Sequence, residues 1–214
     1  SGVKRRFYAH RTRKNLLVLE LEFDNTKSDQ DKTFALSTRS VKQSKDLKLE
    51  TSTQRNATTQ LGHNVNPENK TISQTIAIVT SISPDSVVVR AKEMKTVQLF
   101  SAFYVEEDPN VSPENTLAAA MKIFENAVHS ASRSEHESAW SDLWSRGGIE
   151  LESSPKLATQ LNSSFYYMLS SVREDVVQGV GPGGIQTDGY KGNYYWDNDV
   201  WAMPSILPFW PELA

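Results

Sequence analysis

Between Tyr190 and Trp210 the sequence carries Tyr190, Tyr194, Tyr195, Trp196, Trp201, Phe209 and Trp210, seven aromatics in 21 positions, against 9% aromatic content for the whole chain. An aromatic ring presents an apolar face with a quadrupole, and the CH-rich face of a pyranose packs well on it. Asp197, Asn198 and Asp199 lie among these rings. Short carboxylates and amides form the paired hydrogen bonds that suit vicinal sugar hydroxyls. The glycine-rich stretch just upstream, Gly179 to Gly184, would let backbone approach a ligand closely. Carbohydrate binding is the chemistry these residue types favour. The same composition also suits an aromatic core segment in which Asp197 caps the next helix.

Breaking a glycosidic bond ordinarily takes two carboxylates, one on either side of it. Asp197 and Asp199 stand two positions apart and cannot easily straddle a sugar, so an acid and a base must be sought elsewhere. Other candidates fare worse. The Gly179–Gly184 run follows a helical pattern rather than a strand and lacks a following Lys-Ser/Thr, which excludes a nucleotide loop. His10, His63, His129 and His136 have no metal-ligand spacing, so packing or solvation is their expected role and no metal site is expected. Glu135 and Glu137 read as a solvated pair, and Ser163-Ser164 lacks a nucleophile elbow.

Composition removes further classes. With a net charge of −3, a pI near 5.8 and no dense Lys/Arg run, no nucleic-acid partner is expected. No apolar run approaches the roughly 18 to 20 residues that cross a bilayer, so no membrane partner is expected either. There are no cysteines. Sequons at Asn56, Asn69, Asn110 and Asn162 are candidate glycosylation sites and point to a secretory setting, with a cytoplasmic one as the alternative.

The elements that must position the aromatic cluster change character along the chain. Leu17, Leu19, Leu21 and Phe23 alternate with Val18, Glu20 and Glu22; Ile76, Ile78 and Thr80, then Val87, Val89 and Ala91, then Val97, Leu99, Ser101 and Phe103 repeat the strand period. Antiparallel strands with polar alternate faces predict a sandwich. The polar stretch from Ser52 to Lys70 reads as an exposed loop. At Ser112-Pro113-Glu114 a helix start appears, followed by Leu117, Met121, Phe124, Val128 and Ala131 at helical spacing. A second helix carries His136, Trp140, Leu143 and Trp144 and ends at Gly147-Gly148. A third begins at Ser154-Pro155, with Leu157, Leu161, Phe165, Met168, Leu169 and Val172 on one face. The chain opens on Ser1-Gly2-Val3 and stops at Pro211-Glu212-Leu213-Ala214, which reads as an internal stretch of something longer.

With Pro182-Gly183-Gly184-Ile185, Tyr190-Lys191-Gly192, Trp196-Asp197-Asn198-Asp199 and Pro208-Phe209-Trp210-Pro211-Glu212, the stretch from Ser170 to Ala214 resembles glycoside hydrolase family 65. His136-x3-Trp140-x2-Leu143-Trp144-x4-Ile149 is similar to the family's linker, and Tyr8-Ala9-His10-Arg11 to its N-terminal domain. The resemblance implies a multi-domain β + α fold. Residues 1–108 would be part of an N-terminal β-sandwich, 109–153 a helical linker, and 154–214 the first helices of an (α/α)6 barrel. It implies inverting chemistry with no cofactor. Trp196 and Asp197 would line the subsite for the non-reducing glucose, with Tyr195 and Asp199 as further substrate-binding residues. The general acid would be a glutamate downstream of Ala214, so no catalytic group is expected in this chain. The implied partners are an α-glucoside and the remainder of the same polypeptide.

Within the family, the W-D-x-D form and Ser205-Ile206-Leu207 look most like the animal acid-trehalase-like branch. That branch removes glucose from the glucosyl-galactosyl-hydroxylysine of collagen-like proteins. A trehalase or α-glucoside phosphorylase is the alternative on the same scaffold, and a non-catalytic carbohydrate-binding relative is a third reading. Two departures stand out: Asn193 where the family usually has His, and Trp210 where it usually has His before Pro211-Glu212.

Overall fold

The computed structural model describes residues 2–37, 44–65, 73–174, 179–184, 190 and 193–214. The chain forms two compact units, Ser1–His136 and Glu137–Ala214. In the first, eight strands among the described residues make two antiparallel sheets. They are β1 (Gly2–Ala9), β2 (Leu16–Asp24), β3 (Lys32–Ala35), β4 (Leu47–Gln54), β5 (Ala57–Asn64), β6 (Thr75–Ser81), β7 (Ser86–Val89) and β8 (Met94–Glu106). Six of them pair in the order β1-β2-β8-β6-β5-β4, while β3 and β7 form a separate ribbon. Six of the nine residues of β2 are apolar, and they serve both of its faces, each of which is covered. One face, with Leu16 and Val18, joins Ala57, Ala77, Val79, Phe100 and Ala102 beneath helix α1 (Pro113–Ser130), which inserts Ala120, Met121, Phe124 and Ala127. On the other face Leu21 and Phe23 meet Val87 and Val89 of the ribbon.

A β-rich first half followed by helices is as expected, but the burial differs in detail. Of the residues that the strand pattern singles out, Leu21, Phe23, Val87 and Val89 are buried, whereas beneath α1 it is Leu16, Val18, Ala77, Val79 and Ala102 that are buried and not Leu17, Leu19, Ile76, Ile78, Leu99 or Phe103. The reason is that a helix rather than a broad second sheet lies over that face, and small alanines let its backbone come close. The polar stretch from Ser52 is not a loop: through Asn64 it forms the β4–β5 hairpin. Arg55 and Asn56 at its tip both have left-handed φ (47° and 60°), the pattern of a two-residue turn that matches strand twist. Ser52 and Thr59 hydroxyls bond across it at 2.7 Å. The loop expected at residues 66–70, with Asn69, lies outside the described residues.

Helix α2 (Arg133–Arg146) begins in the first unit. Glu20, on the strand face read as polar, is buried there: Arg6 Nη1 and Arg133 Nη1 each donate to Oε1 at 2.8 Å, and Gln98 Nε2 to Oε2 at 3.1 Å. The solvated reading of Glu135 is likewise corrected. Its backbone N–H bonds the Ser132 hydroxyl at 3.2 Å, a helix cap. Its carboxylate receives the Thr12 hydroxyl at 2.7 Å and Arg13 Nη2 at 2.9 Å. These bonds, Arg13 foremost, hold the Glu135 carboxyl below its usual pKa. Buried His10 donates from Nε2 to the Ser132 carbonyl at 3.1 Å, Arg11 N–H donates to His136 Nδ1 at 3.1 Å, and Tyr8 stacks on the His136 ring at 4.4 Å. The β1–β2 turn is thereby fastened to the start of α2.

The second unit holds the rest of α2 and helix α3 (Pro155–Ser171). A π-helical turn (Asn198–Ala202) then runs directly into the short helix α4 (Met203–Ile206). As the Ser154-Pro155 signal predicts, the Ser154 side chain caps α3 by accepting the Leu157 N–H. The core gathers Leu143, Phe165, Leu169, Val172, Ile206 and Trp210. Trp210 is fully buried, its indole N–H donates to the Leu143 carbonyl at 2.8 Å, and its ring meets Phe165 edge-on at 5.3 Å. The aromatic cluster therefore divides. Phe209 and Trp210 are core, while Tyr190, Tyr194, Tyr195, Trp196 and Trp201 stand largely in solvent.

Candidate carbohydrate-binding site

Within the second unit, α3, the glycine loop and the π-turn with α4 enclose an open cleft of about 460 Å³. Its apolar walls include Tyr167 and Trp201, 53% and 65% exposed, above the buried Ile206. Val180 to Gly184 form another wall as a turn closed by the Gly184 N–H donating to the Gly181 carbonyl at 2.8 Å. Gly184 sits at φ 59°, a left-handed conformation that favours glycine. Asp197 and Asn198 complete the lining. Asp197 stands at the N-cap position of the π-turn yet makes no side-chain cap bond, so the capping alternative is not realised. A half-buried carboxylate beside two aromatic faces and loop backbone is suited to grip sugar hydroxyls while the ring packs on an aromatic side chain.

The structure places the expected residues unequally. Asp197 lines this cleft; Tyr195, Trp196 and Asp199 are exposed and lie outside its lining. Tyr195 instead meets Tyr190 edge-on at 6.0 Å. Asn193, at the position where the resemblance expects His, gives both its N–H and its Nδ2 to the Tyr190 carbonyl (3.0 and 3.1 Å), so it is spent on a local turn. Tyr167 was missed by sequence reasoning because it reads as one more α3 residue. Trp201 carried a signal, four positions after Asp197, the spacing of one helical face. Ile185, Gly189, Lys191 and Gly192 of the motif lie outside the described residues.

Elsewhere, Ser163 and Ser164 donate their hydroxyls to carbonyls one turn back, Thr159 at 2.7 Å and Gln160 at 3.0 Å. Among the described residues no three His, Asp or Glu side chains converge as a metal-binding group, and no helix is long and apolar enough to cross a membrane. The sequon residues Asn56, Asn110 and Asn162 are exposed.

No protein-family model matches the chain. A protein-glucosylgalactosylhydroxylysine glucosidase of Dictyostelium discoideum is 30% identical over 99% of this chain, which spans 30% of that protein's length. A periplasmic/secreted acid trehalase of Candida glabrata is 31% identical over 56% of the chain and 10% of its own length. Among solved structures, one from the human microbiome, named for kojibiose phosphorylase, matches the fold with a TM-score of 0.72 at 13% identity, over 96% of this chain and 29% of that one.

Proposed function

The chain belongs by homology to glycoside hydrolase family 65, and on that premise we propose that it supplies the glucose-holding wall of an inverting α-glucosidase acting on glucosyl-galactosyl-hydroxylysine. The observation that carries the reading is the uncapped, half-buried Asp197 carboxylate lining one cleft with Trp201 and Tyr167. In this reading Asp197 accepts hydrogen bonds from adjacent glucose hydroxyls, aromatic rings cover the sugar face, and Trp196, Tyr195 and Asp199 extend the subsite over the neighbouring exposed surface. In this reading residues 154–214, which follow the linker and the sandwich in the chain, open an (α/α)6 barrel. The acid and base that break the bond come from polypeptide beyond the 30% share that the chain spans in the Dictyostelium relative. The near-complete match of this chain to that relative supports the substrate; the fold likeness supports the scaffold alone.

The test uses the complete polypeptide that contains this chain, given glucosyl-galactosyl-hydroxylysine, trehalose and kojibiose in parallel, with and without phosphate. Glucose appearing first as the β-anomer from the hydroxylysine disaccharide, independent of phosphate, is the expected result. The acid trehalase match keeps a second reading open, and faster turnover of trehalose would establish it. Glucose 1-phosphate formed only with phosphate would make the enzyme a phosphorylase. Sugar binding without turnover of any substrate would leave a non-catalytic relative.

A further inference from the structure

We propose that Asn198 is the positioning residue of this cleft: its side-chain carbonyl fixes the glycine loop that, with Asp197, forms the sugar-holding wall. The inference rests on the carbohydrate reading of the cleft. Asn198 is itself held by the backbone, its N–H donating to the Tyr195 carbonyl at 3.0 Å and its carbonyl accepting the Met203 N–H in the π-turn. The side chain therefore has a fixed origin. From there Oδ1 accepts the Val180 N–H at 2.8 Å, while Nδ2 points to Asp199 Oδ1 at 3.4 Å, which sets the orientation of the amide.

The loop is shaped to meet that oxygen. A Cβ on Gly179 would lie 3.2 Å from Asn198 Cγ and Oδ1 and 3.1 Å from the Tyr194 ring, and one on Gly181 would lie 3.2 Å from the Asn193 carbonyl. Glycine at these positions is what lets the loop backbone close on the segment that carries Asp197. Within the loop the Gly184 N–H donates to the Gly181 carbonyl. The Asn198 bond is thus a side-chain tie between the two strips of chain that line the cleft. A loop so tied presents its backbone groups to a sugar without first having to be ordered.

In the complete polypeptide, Asn198→Leu keeps the volume and removes the acceptor, Asn198→Asp keeps an oxygen there, and Gly179→Ala presses a methyl against the Asn198 amide and the Tyr194 ring. Asn198→Leu and Gly179→Ala are expected to raise KM for the preferred α-glucoside about tenfold or more, with kcat within about threefold. Asn198→Asp keeps the acceptor for Val180 but sets a second carboxylate against Asp199 Oδ1, so its KM should rise less than that of Asn198→Leu. Hydrogen exchange at the Val180 amide should lose protection in Asn198→Leu and keep it in Asn198→Asp. An unchanged KM in Asn198→Leu overturns the proposal. So does a uniform fall in kcat and melting temperature in all three variants with KM unmoved, because that pattern marks a merely structural residue. If the parent handles no α-glucoside the functional reading fails as well, whereas the exchange measurement, which needs no sugar, reports on the loop tie separately.

Discussion

Asp197 and the rings around it divide the work of holding a sugar into two physically different parts. Replacing the carboxylate by the amide of Asn at 197 removes charge-assisted hydrogen bonds worth about 1.5 to 3 kcal/mol. Methyl α-glucoside binding to the complete polypeptide, measured by titration calorimetry, is therefore expected to weaken about tenfold or more. Trp201→Ala should weaken it more than Trp196→Ala, because Trp201 lines the cleft and Trp196 does not; the reverse ranking would put the sugar on the exposed Trp196 face. A second residue-scale prediction concerns Asn25, which is fully buried and gives Nδ2 to the carbonyls of Gln30, Val89 and Arg90 at 2.9, 3.2 and 3.0 Å. Asn25→Ala leaves those carbonyls short of a donor and should cost about 1 to 3 kcal/mol in denaturant unfolding. Asn25→Asp should cost more, since it aims a carboxylate at the same oxygens.

At the level of elements, caps and turns decide where helices and hairpins begin. The Ser112-Pro113 and Ser154-Pro155 signals announced α1 and α3 directly, because capping is a local hydrogen bond that sequence spacing encodes. Ser154→Ala should lower stability by about 1 kcal/mol, read by thermal unfolding. The β4–β5 hairpin was not legible: its strands are Thr- and Ser-rich, and its Arg55-Asn56 tip lacks the glycine that usually marks such a turn. The attachment of the β1–β2 turn to α2 predicts a pH dependence. Glu135 has a depressed folded-state pKa, so its contribution is fully present above the ordinary glutamate range and is lost as pH falls through the folded value. Glu135→Gln should thus melt lower than the parent near neutral pH, with the gap shrinking from about pH 4.5 downward. A gap constant from pH 7 to 3 would contradict this.

For the whole molecule, the second unit keeps Tyr166, Tyr167, Tyr194, Tyr195, Trp196 and Trp201 each near or above half exposed, more apolar ring surface than a small free-standing body usually shows. If the remaining polypeptide of a barrel covers part of it, this 214-residue chain alone should bind a hydrophobic dye more strongly than the complete polypeptide and release no glucose; equal dye binding by both would argue against such a cover. The sequence by itself determined the element types, the helix starts and the concentration of aromatics and short polar residues near Asp197. Those are properties of neighbouring residues, and periodicity and composition report them. Only the tertiary structure decided which face of β6 and β8 is deepest, because that depends on α1 lying over the sheet. It alone sent Trp210 into the core and left Trp201 at the cleft, because one indole N–H finds the distant Leu143 carbonyl. And it brought Asn198 to Val180, eighteen positions apart, a meeting that no local pattern encodes.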